Sequence, residues 1–324
     1  MIGSIWKKHM MKLKSLDIGR ITLKNNVLIA PLAGFSDLAF REMCYDLGAG
    51  LCFTEMVSAK GINYDNCATT DLLKTSEKEY IKAVQLFGRE PDELKKACSS
   101  VALDKFDVVD INMGCPVPKV FSNGEGSALL SDPDLCGKLV AACAETGKTV
   151  TVKMRLGIEK GDTSAVTVAK RACEAGAKLI TVHARRREDY YSGRTDIDAF
   201  KKVADEIKRY GVPIIYNGSV FSAADAEKFS AETGADGVML ARGALYTPWI
   251  IAELLCKSVD DKRAVIKSHV QREFELFGGY AAVKLRKQMS FYLRNSRGAK
   301  TLRVRAFEAT SVEELFAIID EMTF

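Results

Sequence analysis

The feature that most constrains this 324-residue chain is a repeated change of period: short runs rich in Val, Ile and Leu, each closed by turn residues and followed by helical spacing. Four to eight such residues between turn signals suit a buried strand, and apolar positions every three or four residues suit a helix packed on it. The runs fall at 27–31, 51–54, 81–86, 108–111, 149–154, 179–182, 213–216 and 237–240. Helical stretches lie between them at 37–47, 91–103, 132–146, 164–175, 196–210 and 223–233. Gly48-Ala49, Gly176-Ala177 and Gly234-Ala235 each close a helix just before the next strand, where glycine supplies a left-handed cap. Eight strands alternating with helices over about 250 residues is the pattern of an α/β protein, the (β/α)8 TIM barrel. A doubly wound sheet would want G-x-G-x-x-G after its first strand, and Ala30-Pro31-Leu32-Ala33-Gly34 is not that. Strand signals stop near Ala252. We therefore expect an N-terminal arm at 1–20, the barrel at 21–251 and a C-terminal helical domain at 252–324.

Several classes are excluded at this stage. No apolar run approaches the ~18 residues needed to cross a bilayer, and the first ten residues lack the apolar core of a secretory signal. Nine cysteines without a C-x-x-C pair, an odd count in a chain with a large core, point to reduced thiols and a cytoplasmic location. None of the three histidines is spaced with cysteines as a zinc site requires, so no metal is expected. The expected state is a monomer.

Net charge is +5, but it is unevenly placed. Between 262 and 305 stand twelve Lys or Arg against Glu273 and Glu275, and between 284 and 305 eight basic residues meet no acid. Charge runs are usually solvated helix faces, which mix signs. This one does not, which favours a polyanionic partner.

In such a barrel the active site sits where the strands end. The eight strand ends deliver Pro31, Leu32 and Ala33; Glu55; Gln85; Asn112 to Pro116; Lys153 to Arg155; His183 to Arg185; Asn217, Gly218 and Ser219; and Ala241, Arg242 and Gly243. Gly218 and Gly243 with Arg242 fit the phosphate site common at the last two strands, although Asn-Gly and Arg-Gly turns alone are weak signals. Lys153 stands in an otherwise apolar strand, and a lysine there needs a partner; a ligand that becomes anionic would supply it. His183 could be a structural histidine, but the nearby Arg185 points to a polar or anionic ligand. Most cysteines are small core residues. Cys115 differs, lying in a strand-end loop stiffened by Pro116 and Pro118. A free thiol of ordinary pKa is mostly protonated at neutral pH and can donate a proton.

These segments resemble the bacterial dihydrouridine synthases, most closely their B-type branch. The matching stretches are 30–37, 53–56, 85–88, 110–119, 152–155, 183–185, 191–193, 217–218 and 237–244, and 287–293 is similar to the family's C-terminal RNA-binding helices. The resemblance covers about 23–322, and Asn112-Met113-Gly114-Cys115-Pro116 is its most specific part. It implies an FMN-dependent enzyme that reduces the C5–C6 bond of uridine in tRNA with NADPH or NADH. Pro31, Leu32, Ala33, Gln85, Lys153, His183, Asn217, Gly218, Ser219, Ala241 and Arg242 would hold FMN. Hydride would pass from flavin N5 to C6, and Cys115 would give a proton to C5. Asn112, Arg155 and Arg185 would meet the substrate, the first two reading the uracil carbonyls, and Lys284, Arg286 and Lys287 would hold the tRNA backbone; the extra arginine of the run Arg185-Arg186-Arg187 would strengthen a phosphate contact. Ala184, Arg186, Ser219 and Ala241 depart from the family's usual residues, the last two within the flavin site. Two rivals stand beside this reading: a dihydroorotate-type flavin dehydrogenase acting on a free pyrimidine, and a non-catalytic RNA-binding barrel.

Overall fold

The computed structural model describes residues 13–324. Of the arm expected at 1–20, residues 1–12 lie outside the described residues. Packing begins within the rest of it: Leu16–Ile18 (β1) and Ile21–Leu23 (β2) pair as an antiparallel hairpin. Eight parallel strands then close a barrel: β3 (Val27–Ile29), β4 (Leu51–Ser58), β5 (Ala83–Phe87), β6 (Val108–Met113), β7 (Thr149–Arg155), β8 (Ile180–His183), β9 (Ile214–Asn217) and β10 (Gly237–Leu240). They run in chain order, and β10 returns to pair with β3. All eight expected runs are barrel strands, so the (β/α)8 fold is as the sequence predicts.

The strand pleat sorts side chains into two cores. Val150, Val152 and Met154 of β7, with Val109, Ile111 and Met113 of β6, pack outward against the surrounding helices. Inside the barrel, Leu28, Phe53, Val108, Leu179, Ile215 and Met239 form a second cluster, together with Leu16, Ile18 and Leu23 of the hairpin. The hairpin thus plugs the N-terminal end of the barrel. Lys14 on Asp236 (2.7 Å) and Arg20 on the Gly147 carbonyl (3.0 Å) pin it to loops at that end. Leaving the floor dry makes the opposite end the place for a site.

The chain's last part is helical, with helices Lys262–Phe277, Tyr280–Tyr292, Ala299–Glu308 and Val312–Asp320. They share a separate core that includes Ile266, Val270, Leu285, Met289, Leu315 and Ile319. The short helix Ile250–Leu254 belongs to the barrel's outer core instead. No helix among the described residues is long and apolar enough to cross a membrane.

Candidate active site

At the C-terminal end of the strands lies a cavity of about 440 Å³. Pro31, Leu32, Ala33, Gln85, Lys153, His183, Asn217, Gly218, Ser219, Ala241 and Arg242 all line it, as do Cys115, Asn112 and Arg155. Inward positions of β5 to β7 supply its polar base. Thr151 Oγ1 donates to Asp110 Oδ1 at 2.6 Å, and Gln85 Nε2 donates to Asp110 Oδ2 at 2.7 Å. Asn112 Nδ2 donates to Gln85 Oε1 at 2.7 Å. Asn112 Oδ1 in turn accepts from the amides of Gly114 (3.1 Å) and Cys115 (2.9 Å). Burial pushes the Asp110 carboxyl up to about 6, against the hydrogen bonds and the Lys153 charge that favour its ionised form.

The Cys115 loop is held from its other side as well. The Cys115 carbonyl accepts from Ser127 Oγ (2.8 Å) and Ser127 N (3.1 Å). Gly126, at φ +61°, lies so close that an added Cβ would come within 2.9 Å of the Cys115 Cβ. The thiol is half-buried. Burial raises its pKa, outweighing the Val117 N–H that bonds to it and the charges of Arg155 and Lys153. At neutral pH it therefore carries its proton.

Lys153 is pushed down to about 8, first by burial and then by the Arg155 charge, with Asp110 opposing. His183 is held well below its ordinary pKa by burial and by the charges of Arg155, Lys153, Arg185 and Arg242. Arg185 Nη1 lies 3.2 Å from His183 Nε2. An arginine can only donate, so Nε2 accepts and the neutral ring carries its proton on Nδ1.

The far wall is backbone. Gly218 has φ +131°, and a Cβ there would come within 3.2 Å of the His183 ring and 2.9 Å of Thr195. A Cβ on Gly243 would meet the Val220 carbonyl at 2.3 Å. Both positions are packed so closely against the protein that a larger residue would force its neighbours to shift. Arg242 stands at this wall, its guanidinium over the rings of Tyr191 and Phe221.

Residues 28–323 match the family model described as Dihydrouridine synthase (Dus). The chain belongs to the dihydrouridine synthase family. A probable tRNA-dihydrouridine synthase 1 of Synechocystis is 34% identical over 320 residues, covering 95% of this chain and 89% of the relative. A tRNA-dihydrouridine synthase B of Pasteurella multocida is 33% identical over 315 residues, 93% of this chain and 94% of the relative. Among solved structures, a histamine dehydrogenase from a Rhizobium species superposes with TM-score 0.57 at 14% identity, over 82% of this chain and 51% of that one. A morphinone reductase variant in complex with tetrahydroNAD gives TM-score 0.55 at 13% identity, over 75% of this chain and 89% of that one. These two likenesses show the shared barrel fold.

In this member of the family, several residues expected to meet the substrate are engaged by the protein itself. Arg155 is buried; its Nε donates to the Gly114 carbonyl (2.9 Å), and its Nη1 to the carbonyls of Arg186 and Tyr190 (2.8 Å each). Arg185 is buried too and holds the carbonyls of Ser192 and Gly193 and the Ser219 hydroxyl. It does not line the cavity. Lys284 lies 2.7 Å from Asp37 and 3.4 Å from Glu273, with its ammonium over the Phe277 ring. It ties the helical part to the barrel rather than facing solvent as a basic-tail residue would. Asp37, His269 and Glu273 are close enough to hold a metal ion, and the Lys284 ammonium occupies the cationic place between the two carboxylates. Arg286 is partly buried, and Lys287 is exposed. Neither lines the cavity.

Other lining residues carry little signal in the sequence. Tyr191 reaches the cavity from the 186–194 loop, stacked on His183 at 6.4 Å and flanked by Arg155 and Arg242. Phe291 reaches it from the helical part, packed on Phe35 at 5.3 Å. Asp110 and Thr151 support it from below. A carboxylate inside the apolar run 108–113 is the one available signal for Asp110.

Proposed function

We propose that the chain is an FMN-dependent tRNA-dihydrouridine synthase that reduces the C5–C6 bond of uridine, with NADPH or NADH as electron donor. The observation that carries this reading is one cavity holding a thiol kept protonated by burial and a buried lysine whose pKa is pushed down to about 8, walled by glycine backbone. These features fit the flavin. Lys153 would take the side of the ring system that gains negative charge. Gly218, Ser219 and Gly243 offer close backbone approach for its phosphate, with Arg242 beside them. Pro31, Leu32 and Ala33 supply an apolar wall, Gln85, His183 and Asn217 polar ones.

When bound, the flavin supplies hydride chemistry between the nicotinamide and C6 of uracil. The protein's part is to orient the two rings and manage a proton. Cys115 Sγ–H gives its proton to C5 of the base and is later reprotonated from solvent. Lys153 holds positive charge near the cofactor through the reaction. Uridine must leave its stack to reach a cavity at the barrel mouth.

The substrate class follows from family membership and from the basic tail. Of the eight basic residues between 284 and 305, only Lys284 and Arg305 form ion pairs among the described residues. Lys287, Arg294, Arg297 and Lys300 are exposed. Backbone binding by such residues weakens steeply with salt. The test is incubation of the purified, coloured protein with NADPH and tRNA lacking dihydrouridine. Dihydrouridine formation that falls with salt supports the proposal. Salt-independent reduction of a free pyrimidine would transfer the assignment to a small-molecule dehydrogenase.

A further inference from the structure

We infer that Asp110, Gln85 and Asn112 form a one-way hydrogen-bond relay that positions the Cys115 loop, with Asp110 and Asn112 acting as positioning residues. The inference deepens the proposed function, since it rests on Cys115 as the proton donor. Its geometry stands independently.

The relay has a direction because its two ends can each bond in only one sense. At one end, an ionised Asp110 is acceptor-only, so Gln85 must turn its NH2 towards it (2.7 Å). Gln85 then presents its carbonyl oxygen to Asn112, which must answer with its own NH2 (2.7 Å). At the other end, the backbone amides of Gly114 and Cys115 are donor-only, so Asn112 must show them its carbonyl oxygen (3.1 and 2.9 Å). Both ends demand the same setting of both amides. Asp110, Gln85 and Asn112 are all buried, so a reversed amide would bring two oxygens or two NH2 groups together with no water to relieve them. The Asn112 Oδ1 is taken by the two loop amides and one Nδ2 hydrogen by Gln85, while the other approaches the Met56 sulfur at 3.8 Å, a weak acceptor. We therefore assign Asn112 to holding the proton donor's loop.

Transposing the charge tests this. Asn112→Asp keeps an acceptor for the Gly114 and Cys115 amides, and a simple cap would survive it. In a relay it sets a carboxylate oxygen against Gln85 Oε1. Asp110→Asn alone is mild, because the new amide's carbonyl can still accept from Gln85 while the Thr151 hydroxyl turns to accept from its NH2. The double variant Asp110→Asn with Asn112→Asp lets Gln85 turn over and satisfies every group again.

The readout is deuterium exchange of the 113–116 segment at alkaline pH, without tRNA or electron donor, with the melting temperature as the control for global loosening. Asn112→Asp is expected to speed exchange about tenfold, the size of one lost buried coupling. The double variant should return to within about threefold of wild type. Wild-type exchange in Asn112→Asp, or a double variant as fast as the single one, would overturn the relay. Because no substrate is present, failure here leaves the proposed activity standing, and a wild type inactive on tRNA leaves the relay standing.

Discussion

The floor and the mouth of the barrel are built from the same eight strands, on the same inward side of the pleat, yet they are opposite in character. At the floor, Leu28, Phe53, Val108, Leu179, Ile215 and Met239 meet the hairpin's Leu16, Ile18 and Leu23 in a dry cluster. Two to four residues further along, the inward positions are Gln85, Asp110, Asn112, Thr151, Lys153, Arg155, His183 and Asn217, nearly all buried. The floor gains stability from apolar area removed from water. The mouth gives some of it back, since buried polar groups are tolerated only when bonded. Labour is divided along a single strand: β6 passes from Val108 to Asp110 to Asn112 within one 6-residue element.

Phe53→Ala should cost about 3–5 kcal/mol of stability. A melting curve should show this, while the protein that remains folded keeps its flavin spectrum and turnover. A comparable effect confined to the mouth should appear in Cys115→Ala. There uridine reduction should fall ~10²-fold or more while flavin reduction by NADPH is unchanged in stopped flow.

Asp110 sharpens the contrast through pH. Its folded pKa, about 6, lies above the ordinary 3.8, so folding favours the protonated form. Its contribution is fully present below 3.8 and is lost as pH rises through about 6. Denaturant melts of wild type and Asp110→Asn should therefore diverge across that window, with wild type losing about 2–3 kcal/mol relative to the variant as pH rises. Parallel profiles would mean that the mouth carries no such cost. The smallest effect belongs to the helical surface. Lys287→Ala should reduce the salt slope of tRNA binding by about one. Lys284→Ala, removing a lysine already paired with Asp37 and Glu273, should leave that slope unchanged and lower the melting temperature.

How much of this was legible follows the same division. The strand runs were readable because a parallel barrel strand is buried on both sides and spells itself in Val, Ile and Leu. Lys153 and the Cys115 loop were readable as polar exceptions at strand ends. The hairpin was not, because two three-residue strands leave no periodic signal. Nor could spacing show that Arg155 and Arg185 grip loop carbonyls, since an arginine's partner is chosen in three dimensions. Lys284 is the plainest case: its charge was readable, but its partner Asp37 lies 247 residues away.

The activity itself is tested by a position-by-position map of dihydrouridine in tRNA from cells with and without this gene. Loss of the base at defined positions, restored by wild type but not by Cys115→Ala, is the predicted result. An unchanged map in cells lacking any other dihydrouridine synthase would contradict it.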